Sequence, residues 1–317
     1  MKPFIYGVAA AFFFAVTFIA NAWMDETGGH WTWSASLRFF WMVPLLYVLV
    51  RWRTGVERVH ASLRERPLVW LVWSTVGFGL FYAPLTFAAG YAPGWLVAST
   101  WQLTILAGLF VAPFVDRTVR ADGTVVRGTI AWRSVGWSTV IVVGVVLLQW
   151  SYASDVSFAV LCASVLPVAF AAFAYPLGNR MMMRETGETL SALERVYGMT
   201  CMSLPFWFVI ALYGAAVAGG PSAGQWSQTF VVALSSGVLA TVLFFHATSL
   251  VRHDASKLGA VEATQSLEVV FALGGEMVVL GAAAPTGLGM VGLVVLLCGM
   301  LAHRMMSTTE RTRRNEA

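Results

Sequence analysis

Apolar runs long enough to cross a lipid bilayer recur along almost the whole chain, and no other feature constrains its fold as strongly. A spanning helix needs about 20 mostly apolar residues. Within the hydrocarbon each backbone polar group must find its partner inside the segment, which a helix provides. Ten stretches qualify, at residues 4–23, 34–50, 68–89, 95–115, 135–150, 157–178, 190–217, 230–250, 258–281 and 286–305, the fifth being the weakest. With 58% hydrophobic and 11% charged residues and a mean hydropathy of +0.72, the 317-residue chain reads as an all-α polytopic membrane protein.

Loop charges orient the spans, because Lys and Arg accumulate on the cytoplasmic side. With the amino terminus inside, every one of the 20 Lys and Arg residues except the intrahelical Arg38 and Arg195 falls on the inner side, whereas the outer loops carry Asp25, Glu26 and Asp155. Both termini are therefore expected to be cytoplasmic. The net charge of +4 reflects this orientation and calls for no nucleic-acid partner. Cys162, Cys201 and Cys298 all lie in predicted spans without CxxC or Cys/His spacing, so neither a disulfide framework nor a metal site is expected. Ala20-Asn21-Ala22 has the look of a signal-peptidase site, but removing the first span would leave the charge alternation unexplained.

The two halves of the chain can be superimposed. Asn21 aligns with Asn179 and SASLR (34–38) with SALER (191–195), while Phe81, Ala92 and Gln102 meet Phe244, Ala255 and Gln265 at one constant offset. The pattern predicts two five-helix repeats, residues 1–150 and 151–306, followed by a cytoplasmic tail, 307–317. An odd number of spans per repeat forces the second copy to be inverted, as in many secondary transporters, with the site near the midplane between the halves. Between spans, ERVHASLRERP has the pattern of a surface helix with Val56, Val59 and Leu63 inward, and VRADGTVVRG carries an Asp-Gly hairpin signal. The tail, rich in Thr, Arg and Glu, is expected to be disordered.

The ninth run, residues 258–281, contains Glu262, Glu268 and Glu276. Each ionised carboxylate at mid-membrane costs about 2.5–3.5 kcal/mol on insertion scales, so such residues need partners or a function. On a continuous helix, with Glu262 at zero, Gln265 falls at ~300°, Glu268 at ~240° and Glu276 at ~320°. One polar face results, suited to lining a cavity or to locking helices together by ion pairs.

Ten helices in two halves, FFFAVTFIANAWM near the amino terminus and the tryptophan-rich WTWSASLRFFWMVP resemble the multidrug resistance efflux transporter family of the drug/metabolite transporter superfamily, over nearly the whole chain. The resemblance implies a ten-helix secondary transporter of the bacterial inner membrane that exports drugs or metabolites. Small multidrug resistance proteins, the four-helix relatives that act as dimers, carry an essential glutamate in their first helix. Here that helix has Asn21 as its main polar residue, and the sixth has no acid between Ser157 and Asn179, so a coupling acid must come from elsewhere.

Depth assigns roles to the embedded charges. Arg38 matches the depth of Glu276, which predicts a structural ion pair. Glu194, Arg195, His246 and Glu262 lie near the inner end and could form a gate. Glu268, mid-membrane without a basic residue at its depth, is the candidate for carrying protons, since the neutral form is the cheaper one to bury. Gln265 and its repeat partner Gln102 could add hydrogen bonds, and Trp101 and Tyr82 could stack on an organic cation. The expected function is proton-coupled export of small organic or cationic compounds by alternating access. Its partners would be a small-molecule substrate, protons and the bilayer, and the unit would be a monomer or homodimer. No cofactor is expected, and no P-loop marks ATP as the energy source. Other readings are facilitated transport of a neutral metabolite or lipid-linked group, or a receptor or scaffold. No HExxH or GxSxG points to an enzyme.

Overall fold

The computed structural model describes residues 2–115, 117–119, 125–127, 130, 132–153, 156–187, 189–250, 261 and 264–316. The first half comprises α1 (Lys2–Glu26), α2 (Trp31–Arg53), the short α3 (Glu57–Glu65), α4 (Pro67–Ala88) and α5 (Gly94–Val115). A two-stranded hairpin, β1 (Arg117–Val119) paired antiparallel with β2 (Val125–Arg127), follows before α6 (Trp132–Ala153). Then come α7 (Phe158–Thr186), α8 (Ala192–Ala218), α9 (Ala223–Thr248), α10 (Leu267–Val279) and α11 (Leu288–Glu316). Among the described residues, α1, α2, α4, α5, α7, α8 and α9 are long and apolar enough to cross a membrane. The apolar parts of α6 (Ser138–Ala153) and α11 (Leu288–Ala302) are shorter, and α10 has 13 residues.

Local sequence explains several boundaries. Ser157, Ser191 and Ser222 cap α7, α8 and α9 through their hydroxyls, the latter two in capping boxes completed by Glu194 and Gln225. Of the two readings open to ERVHASLRERP, a surface helix or a solvated loop, the helix forms: Val56 and Val59 are buried, while His60 bonds the Tyr197 hydroxyl at 3.1 Å. This helix docks on α8. The hairpin forms where its valines predicted, although the Asp122-Gly123 turn itself lies outside the described residues. The expected disordered tail is corrected: α11 runs on to Glu316.

Packing crosses between the halves. The principal neighbours of α1 are α9 and α10; reciprocally, α7 lies mainly against α4 and α5. α2 pairs with α8, and α6 with α11, the most extensive contact in the molecule. Small residues permit these approaches. A Cβ on Gly178 would collide with the Gly77 backbone, where α7 crosses α4. One on Gly144 would meet the backbone of Leu296, where α6 meets α11. On their other faces α7 and α8 expose Leu166, Phe170, Phe173, Phe208, Val209 and Leu212, side chains that suit contact with lipid.

Two helices depart from regular geometry at matching places. α4 contains a π-helical turn at Thr75–Gly79, and α9 one at Ala233–Ala240. α5 is interrupted at Gln102, and a 3-10 turn at Thr264–Ser266 precedes α10. Wide turns of this kind are uncommon and often lie at functional sites.

Candidate functional site

One irregular segment, the π-helical turn of α9, meets a buried charge. Arg38, on α2 and only 8% exposed, sends Nη2 to the Ser236 hydroxyl at 3.0 Å, a residue inside the π-helical turn of α9. Its Cζ lies 4.0 Å from the Tyr82 ring centroid and 5.6 Å from that of Phe39. Arg38 Nε and Nη1 are buried without a hydrogen-bond partner, and among the described residues no carboxylate pairs with this guanidinium. The cation–π contact is worth about 0.5–2 kcal/mol. Burial of an unpaired cation costs several kcal/mol, so the site holds Arg38 at a net cost.

Aromatic side chains surround it. Phe39 stacks on Trp207 at 4.3 Å between centroids, and Tyr82 lies edge-on to both. The Tyr82 hydroxyl and the Asn21 carboxamide of α1 are hydrogen-bonded at 3.3 Å. A second trio, Phe81, Trp101 and Tyr175, adjoins the first, with centroids 4.8 to 5.5 Å apart. Tyr175 of α7 bonds to Asn179 and stands within electrostatic reach of both Arg38 and Glu268.

Glu268 is the second residue of α10 and 8% exposed. The break at Thr264–Ser266 places it at a helix start, where the positive end of the backbone dipole favours a carboxylate. Among the described residues no hydrogen bond or ion pair reaches it. Gln265, half-buried in the 3-10 turn, points Nε2 at the Gly7 carbonyl at 3.5 Å. Gln102 turns back to the Ala98 carbonyl at 3.1 Å, so it closes its own helix end.

Three expectations for this region change. The pair Arg38–Glu276 does not form. Glu276 (1% exposed) instead accepts the backbone N–H groups of Gly94 at 2.6 Å and Trp95 at 3.3 Å, capping α5. The single polar stripe is also lost, because the helix does not run continuously through Gln265, so an angle of 100° per residue cannot be carried across the turn. Glu262 lies outside the described residues. The inner cluster is not assembled from its remaining members either. Glu194 accepts from the Ser191 N–H at 2.8 Å and meets Arg58 at 3.4 Å; Arg195 donates to the Leu190 carbonyl at 2.9 Å; His246 is exposed, its ring 5.2 Å from Tyr6. A separate cleft of about 350 Å³ lies beside Arg58, Arg66 and Glu185, bounded by the Arg66–Glu185 bridge at 3.3 Å.

Sequence reasoning missed Ser236, Trp207 and Tyr175. Asn179 and Phe81 carried a signal as anchors of the internal repeat.

Seven helices long and apolar enough to cross a membrane, with a buried, mixed polar and aromatic cluster between them, define a multi-pass membrane protein, and comparison with known proteins gives the family. Residues 1–309 match the profile of the EmrE family, described as "Putative multidrug resistance efflux transporter", and the chain belongs to that family. It is 48% identical over 316 residues to the uncharacterized protein YjlA of Bacillus subtilis (strain 168), covering 99% of this chain and 98% of that one. It is also 49% identical over 268 residues to an uncharacterized 42.1 kDa protein of Shouchella clausii, covering 84% of this chain and 70% of its relative. A solved crystal structure shares the fold, with a TM-score of 0.61 at 16% identity and 99% coverage of both chains.

Proposed function

We propose that this protein is a secondary active transporter of a bacterial inner membrane that exports small organic compounds in exchange for protons by alternating access. The observation that carries the reading is Glu268: a carboxylate buried at a helix break, with no hydrogen bond or ion pair among the described residues. Such a group can be neutral when it holds a proton and must gain a compensating contact when it does not. Protonated and ionised Glu268 then favour different states of the transporter, so that outward passage of substrate is linked to inward passage of a proton.

The architecture supports this reading. Ten spans in two inverted halves with both termini inside would account for the reciprocal packing of α1 with α9 and α10 and of α7 with α4 and α5. The same symmetry would account for π-helical turns in α4 and α9, and for breaks at Gln102 and Gln265. Discontinuous helices at mid-membrane are where transporters of this kind hold substrate and coupling ion. Glu268 has no acidic counterpart, since the first repeat has Ile105 at the corresponding position, so coupling resides in one half only.

Reconstitution in liposomes with a trapped pH dye tests the proposal. An imposed pH gradient should accelerate movement of an accepted compound and should be dissipated as that compound moves. Flux indifferent to the gradient would favour facilitated transport instead.

A further inference from the structure

We propose that Arg38 is the anion-binding residue of this site and holds the carboxylate of a small organic substrate. The inference takes from the transporter reading only that the site receives a substrate. The evidence for an anion is independent of Glu268.

Three observations lead to it. Arg38 is more than nine-tenths buried, yet its Nε and Nη1 lack hydrogen-bond partners, and no acid neutralises it among the described residues. Its remaining donor group is held by Ser236, and its face by Tyr82, so the guanidinium is fixed in orientation before any ligand arrives. A planar cation with open donors matches a carboxylate in both charge and shape, and such charge-assisted bonds are the strong ones. A lipophilic cation, by contrast, would be repelled.

The surroundings define the rest of the ligand. Phe39, Tyr82 and Trp207 and the adjoining Phe81, Trp101 and Tyr175 form one continuous aromatic cluster, which Arg38 meets at Phe39 and Tyr82. An apolar or aromatic body attached to the carboxylate would gain contact with these rings, which a bare inorganic anion would not.

Matched probes read this directly on the purified full chain. Benzoate, 3-phenylpropionate and indole-3-propionate are each compared with the amine of equal size, and with inorganic phosphate, by thermal unfolding and by quenching of tryptophan fluorescence. At least one carboxylate should raise the unfolding midpoint at millimolar concentration, with its amine counterpart and phosphate much weaker. Arg38→Gln should weaken that carboxylate by at least about tenfold, and Arg38→Lys, which keeps the charge but not the planar fork, should fall between. The proposal is overturned if the amines or phosphate stabilise as well as the carboxylates, if none of the three carboxylates acts, or if either Arg38 variant binds them like the wild type. Should Arg38→Gln fail to fold, the Arg38→Lys and Ser236→Ala proteins carry the comparison, each expected to bind the carboxylate more weakly. Carboxylate binding without proton-linked flux would defeat the transporter reading and leave this one standing; proton-linked flux of amines alone would do the reverse.

Discussion

The Glu276 carboxylate accepts the backbone N–H of Gly94 at 2.6 Å, tying α10 to the first turn of α5 across more than half the length of the chain. Residues at the start of a helix have no intrahelical partner for their N–H groups, and in a membrane no water replaces one. Glu276 is thus a structural acid, distinct from Glu268 eight residues earlier. Replacing it with Ala should destabilise the protein by about 1–3 kcal/mol, seen as a lower unfolding midpoint in detergent, while flux per folded molecule is retained. Loss of flux at unchanged stability would show that Glu276 acts in transport.

At the crossing of α7 and α4, Gly178 leaves no room for a side chain, whereas a Cβ on Gly274 would meet nothing within 4 Å. Gly178→Ala should therefore lower the yield of folded protein sharply. Gly274→Ala, in the middle of α10, should be neutral or stabilising by up to about 1 kcal/mol from helix propensity. The two alanines differ only in what their methyl groups meet, so equal effects would contradict the packing described.

Glu194 has two partners of unequal weight. Arg58 is 61% exposed, and a bridge to such a partner is worth about 0–1 kcal/mol. The capping box with Ser191 satisfies two backbone N–H groups at the start of α8 and should be worth about 0.5–2 kcal/mol. Thermal unfolding should accordingly show Arg58→Ala close to wild type and Ser191→Ala clearly below it.

Arg38 offers a test of cost against use. If its guanidinium is held unpaired for a ligand, Arg38→Met should leave the ligand-free protein as stable as the wild type, or more stable by about 1–4 kcal/mol, while abolishing carboxylate binding. A marked fall in the unfolding midpoint would instead make Arg38 part of the structural framework.

Much of the architecture was legible because membrane physics writes it plainly. Run length located seven helices long and apolar enough to cross a membrane among the described residues, against the ten spans expected, and valines marked the hairpin. The buried position of Glu268 followed from its place in the apolar run. Depth failed for Arg38 and Glu276 because it fixes one coordinate only. Two residues at the same level can face different neighbours, and Glu276 found backbone donors at Gly94 and Trp95 that no side-chain inventory could nominate. The geometry of Gln265 was hidden for another reason: a 3-10 turn inside an apolar run has no strong sequence mark, so the residues around it were placed on a continuous helix. Ser236 escaped notice because a lone serine in a span usually bonds its own helix. It does so here, to the Val232 carbonyl, while also receiving Arg38.

The central claim is that Glu268 couples protons to transport, and Glu268→Gln tests it most directly, since glutamine preserves the size and polarity but cannot titrate. In proteoliposomes with a trapped pH dye, the variant should bind substrate and exchange it across the membrane at equal pH on both sides. It should neither concentrate substrate against its gradient when a pH difference is imposed nor move protons with it. A variant that still accumulates substrate in response to the pH difference, with protons moving in step, would contradict the account.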